Sequence, residues 1–75
     1  MSDTAPVLKV GLSGAGPIAA SLVRAVRTHA QCDVIAVQDD QLAAAEALAR
    51  TGNLTLATDR FDAMPGSGVD FVVLT

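Results

Sequence analysis

Aromatic side chains are almost missing from this chain of 75 residues. There is no tryptophan or tyrosine, and the two phenylalanines are Phe61 and Phe71. Any core must therefore be assembled from Val, Leu, Ile and Ala, and a chain this short buries only about 60% of its unfolded surface. The single Cys32 excludes an internal disulfide, which makes the cytoplasm the simplest compartment. Positive charge is scarce: Lys9, Arg24, Arg27, Arg50 and Arg60 are scattered among eight acidic residues, for a net charge of −3. With no basic patch, a nucleic-acid partner is not expected. Purely aliphatic or aromatic stretches run for only a few residues, so no membrane partner is expected. The opening MSDTAPVLKV carries Asp3 and has neither a basic region nor a long apolar region, so it does not read as a secretory signal. Glu46, Asp59 and Asp62 lack metal-ligand spacing, so no metal is assigned. Repeats and low-complexity tracts are absent.

Short apolar runs alternating with amphipathic segments are what the chain does have. After a loose leader, Met1 to Pro6, the run Val7 to Leu12 reads as a strand buried on both faces. Ser13 to Gly16 is a turn. Pro17 suits the first position of a helix, where its missing N–H would have had no partner. Ile18, Leu22 and Val26, with Val23 beside them, give that helix an apolar face, and Arg24 and Arg27 fall on a solvated one. His29 near its end suits the negative pole of the helix dipole. Ala30 to Asp33 is a connection containing Cys32, read as an inert thiol. Asp33 to Gln38 is a second strand. Asp39 or Asp40 can cap the next helix, Gln41 to Arg50, with Leu42, Ala45, Leu48 and Ala49 inward and Gly52 as its terminator. A short third strand, Leu54 to Ala57, precedes a helical turn from Asp59 to Met64, stopped by Pro65-Gly66-Ser67-Gly68. Val69 to Thr75 is a fourth strand. The order βαβαβ(α)β predicts an α/β fold with right-handed crossovers and a parallel sheet.

Three glycines crowd the stretch VGLSGAGPIAA between the first strand and helix. Gly14-x-Gly16-x-x-Ala19 matches the dinucleotide fingerprint G-x-G-x-x-G/A in the context it requires. Gly14 would permit the tight turn, Gly16 would let a pyrophosphate approach the main chain, and Ala19 would keep the helix close to the strand. Gly11 is expected to aid packing against the helix. The start of that helix, with Ala15, Pro17 and Ile18, would offer free amides to phosphates. Asp39 lies 25 residues after Gly14, near the spacing of a ribose-binding carboxylate, with Asp40 as the alternative ligand. A carboxylate there repels a 2′-phosphate, and no Arg or Lys follows in Gln38-Asp39-Asp40-Gln41, so NAD is favoured over NADP. The rival reading of the glycines is an ordinary βα turn of a flavodoxin-like fold.

From Lys9 onward the chain resembles the N-terminal half-domain of the Gfo/Idh/MocA family of NAD(P)-dependent oxidoreductases. The resemblance rests on KVGLSGAGPIA, DVIAVQDD, QLAAAEALARTG, TDRFDAM and GVDFVVLT. It implies a Rossmann-like dinucleotide-binding unit with strand order 3-2-1-4, here ending after strand four, from an enzyme acting on sugars, inositols or related polyols. The family's later Glu-Lys-Pro motif, with its catalytic lysine, and its substrate domain have no counterpart in these residues, so none is assigned a catalytic role. A non-catalytic nucleotide-binding module, an inactive remnant, or the first half of another NAD-dependent dehydrogenase are the alternatives. A bare outer edge on strand four would further imply self-association there.

Overall fold

The computed structural model describes residues 8–28 and 31–75; the leader, Val7, His29 and Ala30 lie outside the described residues. Strand β1 spans Leu8–Ser13, helix α1 Pro17–Arg27, β2 Cys32–Gln38, α2 Leu42–Gly52, β3 Leu56–Thr58 and β4 Phe71–Leu74. Two 3-10 turns, Phe61–Ala63 and Pro65–Ser67, stand between β3 and β4. The sheet is parallel throughout and ordered β3-β2-β1-β4, as the sequence predicts.

Central β1 is buried on both faces: Val10, Gly11 and Leu12 are all enclosed. Val10 and Leu12 join Ala19 and Val23 of α1, Val34 and Val37 of β2, and Ala45 and Leu48 of α2 in one aliphatic cluster. Strict alternation along β2 would not turn Val34 and Val37 the same way. The pairing jumps from Val10–Val34 to Gly11–Ala36, so Ile35 is an extra residue in the ladder and reverses the alternation. The Ile35 carbonyl accepts both the N–H and the hydroxyl of Thr55, each at 2.9 Å. That anchoring delays β3, which begins at Leu56 rather than at Leu54.

Several expectations are corrected in detail. Ile18 is 67% exposed, because the inward line of α1 runs through Ala19, Val23 and Val26 and turns Ile18 outward. Leu42 is exposed in the first turn of α2. Gly52 is still helical; Asn53 takes the left-handed turn at φ 58°, which Asn tolerates. Cys32 belongs to β2, which begins one residue before the expected Asp33. Gly11 faces away from α1: a Cβ there would meet the Met64 methyl at 2.7 Å and Val69 at 3.2 Å. Pro65 to Ser67 extends the crossover as a second 3-10 turn instead of stopping it, and fully buried Met64 covers that side of the sheet. Strand β4 is shorter than expected, since Asp70 precedes it; its carboxylate accepts the Lys9 N–H at 2.7 Å and its own N–H donates to the Lys9 carbonyl at 2.6 Å. Among the described residues no strand pairs with the outer side of β4, where Phe71 and Leu74 are exposed.

Arg27 is not simply solvated. It donates to Asp33 at 2.9 Å, to the Val34 carbonyl at 3.1 Å, and to the carbonyls of Gly52 and Asn53, binding the end of α1 to the start of β2 and the end of α2. Its side chain is one-third exposed, which tempers the gain. Arg27→Ala should cost about 1–2 kcal/mol and lower the thermal midpoint by roughly 4–16 °C. A melting curve within about 2 °C of the parent would overturn this role.

Candidate functional site

The carboxyl ends of β1 and β2 meet at a cleft of about 160 Å³ lined by Ser13, Gly14, Gln38, Asp39, Asp40 and Thr75. In an open parallel sheet this end of the strands, beside the strand where connections diverge, is where ligands enter. The chain leaves β1 through Gly14 at φ +107°, a conformation side chains rarely adopt. Gly14 N–H donates to the Gln38 carbonyl at 2.6 Å, tying the turn to β2. Gly16 follows in ordinary extended geometry, φ −82° and ψ −168°, as the N-cap of α1, with no side chain capping the helix. A Cβ on Gly16 would meet no atom within 4 Å, so it would project into open space beside the helix start.

Asp39 stands where β2 ends. Its backbone N–H donates to the Thr58 carbonyl at 3.1 Å, extending the ladder toward β3. Its carboxylate accepts the N–H of Gln41 at 2.8 Å and the N–H of Ala15 at 2.9 Å. These bonds, Gln41 first and Ala15 second, hold the Asp39 carboxyl below the usual carboxylate range. Asp39 and Asp40 were both candidate caps for α2, but its N-cap is Gln41, and Asp39 reaches only that residue's amide. Asp40 is exposed, with Gln38 Nε2 at 3.5 Å.

Three residues of the cleft carry no motif. Gln38 is buried, and its Oε1 accepts the Ser13 hydroxyl at 2.7 Å. Thr75 donates through its N–H and hydroxyl to the Ser13 carbonyl, at 2.9 and 3.0 Å. Polar residues closing apolar strands, one beside the acidic pair, were the available sequence signal. The sequence-predicted residues do come together: Asp39 touches the Gly14–Gly16 loop through Ala15 and leads into the cleft with Asp40. Pro17 and Ile18 form the exposed first turn of α1 at the loop's far side. A larger groove of about 540 Å³ between the C-terminal halves of α1 and α2 is lined by Val23, Leu48, Arg27 and Thr51, among others, with Arg27 and Thr51 already bonded within the protein.

A four-stranded parallel sheet in this order, with a glycine turn leading from its first strand into a helix, defines a Rossmann-like nucleotide-binding fold. Solved structures agree. The chain is similar to myo-inositol dehydrogenase from Lactobacillus casei, solved with NAD(H) and myo-inositol, at 28% identity and a TM-score of 0.75 over 92% of its own length and 21% of that chain. It is similar to the WlbA dehydrogenase of Chromobacterium violaceum, solved with NADH and UDP-GlcNAcA, at 27% identity and a TM-score of 0.81 over 97% of this chain and 21% of that one. The Bordetella pertussis WlbA dehydrogenase shares the fold, with a TM-score of 0.81 at 21% identity over 92% of this chain and 22% of that one. The structural neighbours are thus NAD-binding dehydrogenases of the type the sequence resembles, and this chain spans about a fifth of their length. No protein-family profile matches the chain. No curated protein matches it.

Proposed function

We propose that this chain is the nucleotide-binding part of a Gfo/Idh/MocA-like oxidoreductase that uses NAD and acts on a sugar, inositol or related polyol. The observation that carries the reading is the juxtaposition of the Gly14–Gly16 loop and the Asp39 carboxylate across one hydrogen bond at the strand ends. The residues fit a dinucleotide. Gly16 leaves space where a side chain would stand, and the helix start presents main-chain donors with a partial positive charge. Gly14, Ala15, Gly16, Pro17 and Ile18 would form the pyrophosphate cradle. Asp39, whose two oxygens each keep a further lone pair, would accept the adenosine ribose hydroxyls, with Asp40 adding negative charge beside it. When bound, the nicotinamide supplies hydride acceptance or donation at its C4; no residue of this chain is given a catalytic role. The aliphatic outer edge of β4 supports self-association as part of the same reading, and a cytoplasmic setting accords with a lone cysteine. Among the described residues no helix is long and apolar enough to cross a membrane.

Calorimetric titration tests the cofactor. NAD should bind, and NADP should bind at least about tenfold more weakly, because its 2′-phosphate would approach two carboxylates. Equal affinities would overturn the choice of NAD, and no binding of either would overturn the dinucleotide assignment.

A further inference from the structure

We propose that Asp39 is also a positioning residue, a latch that holds the glycine loop in its binding form before any dinucleotide arrives. The inference rests on the reading above and adds a role that ribose binding does not require. Gly14 and Gly16 flank Ala15, so the loop has conformational freedom on both sides of a single substituted residue. Accounting for the main-chain donors shows what restrains it. Gly14 N–H is bonded to the Gln38 carbonyl, and Ala15 N–H is bonded to Asp39 Oδ2. Pro17 has no N–H, and Ala20 N–H returns to the Gly16 carbonyl at 3.1 Å. Among the described residues, the amides of the exposed Gly16 and Ile18 have no acceptor in these interactions, and they are the ones left for an anion.

The other oxygen of the latch, Oδ1, takes the Gln41 N–H, so one carboxylate joins the loop to the entry of α2. Since Gly14 is held by β2 and Ala15 by Asp39, the open amides begin at Gly16. The Ala15 side chain packs against the core cluster, but among the described residues its N–H has Asp39 as its acceptor, and that bond sets the orientation of the peptide. The carboxylate that would read the ribose therefore also sets the shape of the phosphate cradle, so the two subsites are mechanically one.

Amide exchange and NMR on the full chain without dinucleotide test this directly. Asp39→Ala, which removes the acceptor, should raise exchange at Ala15 about tenfold or more, leave Leu12 and Val37 amides protected, and weaken NAD. Asp40→Asn, which removes the other carboxylate of the cleft, should leave Ala15 exchange as it is. As a second measurement that needs no variant, the Ala15 amide shift of the parent should follow a carboxylate titrating below the usual range. If Asp39→Ala leaves Ala15 exchange unchanged, or the Ala15 shift does not titrate, the latch is wrong even where NAD binds. A titrating, protected Ala15 in a chain that does not bind NAD would instead sink the cofactor reading and leave the latch standing.

Discussion

A Gly16→Val chain is expected to fold much as the parent does and to lose its hold on a dinucleotide. The backbone at Gly16 is extended and open to any residue, and an added Cβ meets nothing within 4 Å. The cost to folding is the poorer N-cap that valine makes, about 1 kcal/mol. That same empty space is where a pyrophosphate would approach the amides of Gly16 and Ile18. Two methyl groups there exclude it and remove charge-assisted hydrogen bonds of about 1.5–3 kcal/mol each. NAD affinity should fall at least about 100-fold, with the thermal midpoint down by only about 4–8 °C. Calorimetry paired with a melting curve separates the two effects, and undiminished NAD affinity would remove the glycine loop from the site.

The neighbouring glycine should behave in the opposite way. Gly14→Ala places a Cβ on a backbone at φ +107° and drives it against the Thr75 hydroxyl, with the Thr75 carbonyl at 3.1 Å. The conformational strain alone costs about 1–3 kcal/mol, against a total stability of about 5–15 kcal/mol for a domain. Thr75 cannot simply move aside, because its N–H and hydroxyl both bond to the Ser13 carbonyl. The thermal midpoint should fall by roughly 5–20 °C, with or without cofactor. A melt within about 2 °C of the parent would show that the turn relaxes into another shape. Two glycines separated by one residue thus have separable duties, one to the fold and one to the ligand.

Composition and periodicity were enough to reveal the parallel sheet and the glycine turn, because those features are written in local pattern, whereas the strand order followed from the Rossmann resemblance. Parallel strands buried on both faces read as unbroken apolar runs, and Pro17 and the glycines punctuate them. What stayed hidden depends on partners distant in sequence. The extra residue at Ile35 exists because Thr55, 20 positions later, satisfies its carbonyl. Gly11 reads as helix packing, yet its neighbour is Met64, placed there by two 3-10 turns that carry no strong periodicity. Asn53 displaces Gly52 as terminator because both tolerate a left-handed turn and spacing alone does not choose between them. At the site, Asp39 was legible from its distance to Gly14. The bond to Ala15 was not, since it depends on the register between β1 and β2. Gln38, Ser13 and Thr75 became site residues only when three strand ends converged.

The placement of β1 between β2 and β4 has a consequence for the chain as it is being made. Val10 to Ser13 pair on one side with residues 34–38 and on the other with residues 71–74. The first flank can close soon after β2 is synthesised, but the second must wait until Leu74, about 36 residues after Gln38, roughly 2–7 s at translation rates of about 5–20 residues per second. Throughout that interval β1 carries an open row of main-chain donors and acceptors along a buried aliphatic strand, the kind of edge that recruits foreign strands. Arrival of β4 ends the exposure of β1 by taking the edge position itself. The nascent chain therefore needs that edge shielded until β4 is complete, well after β2 has closed the other side.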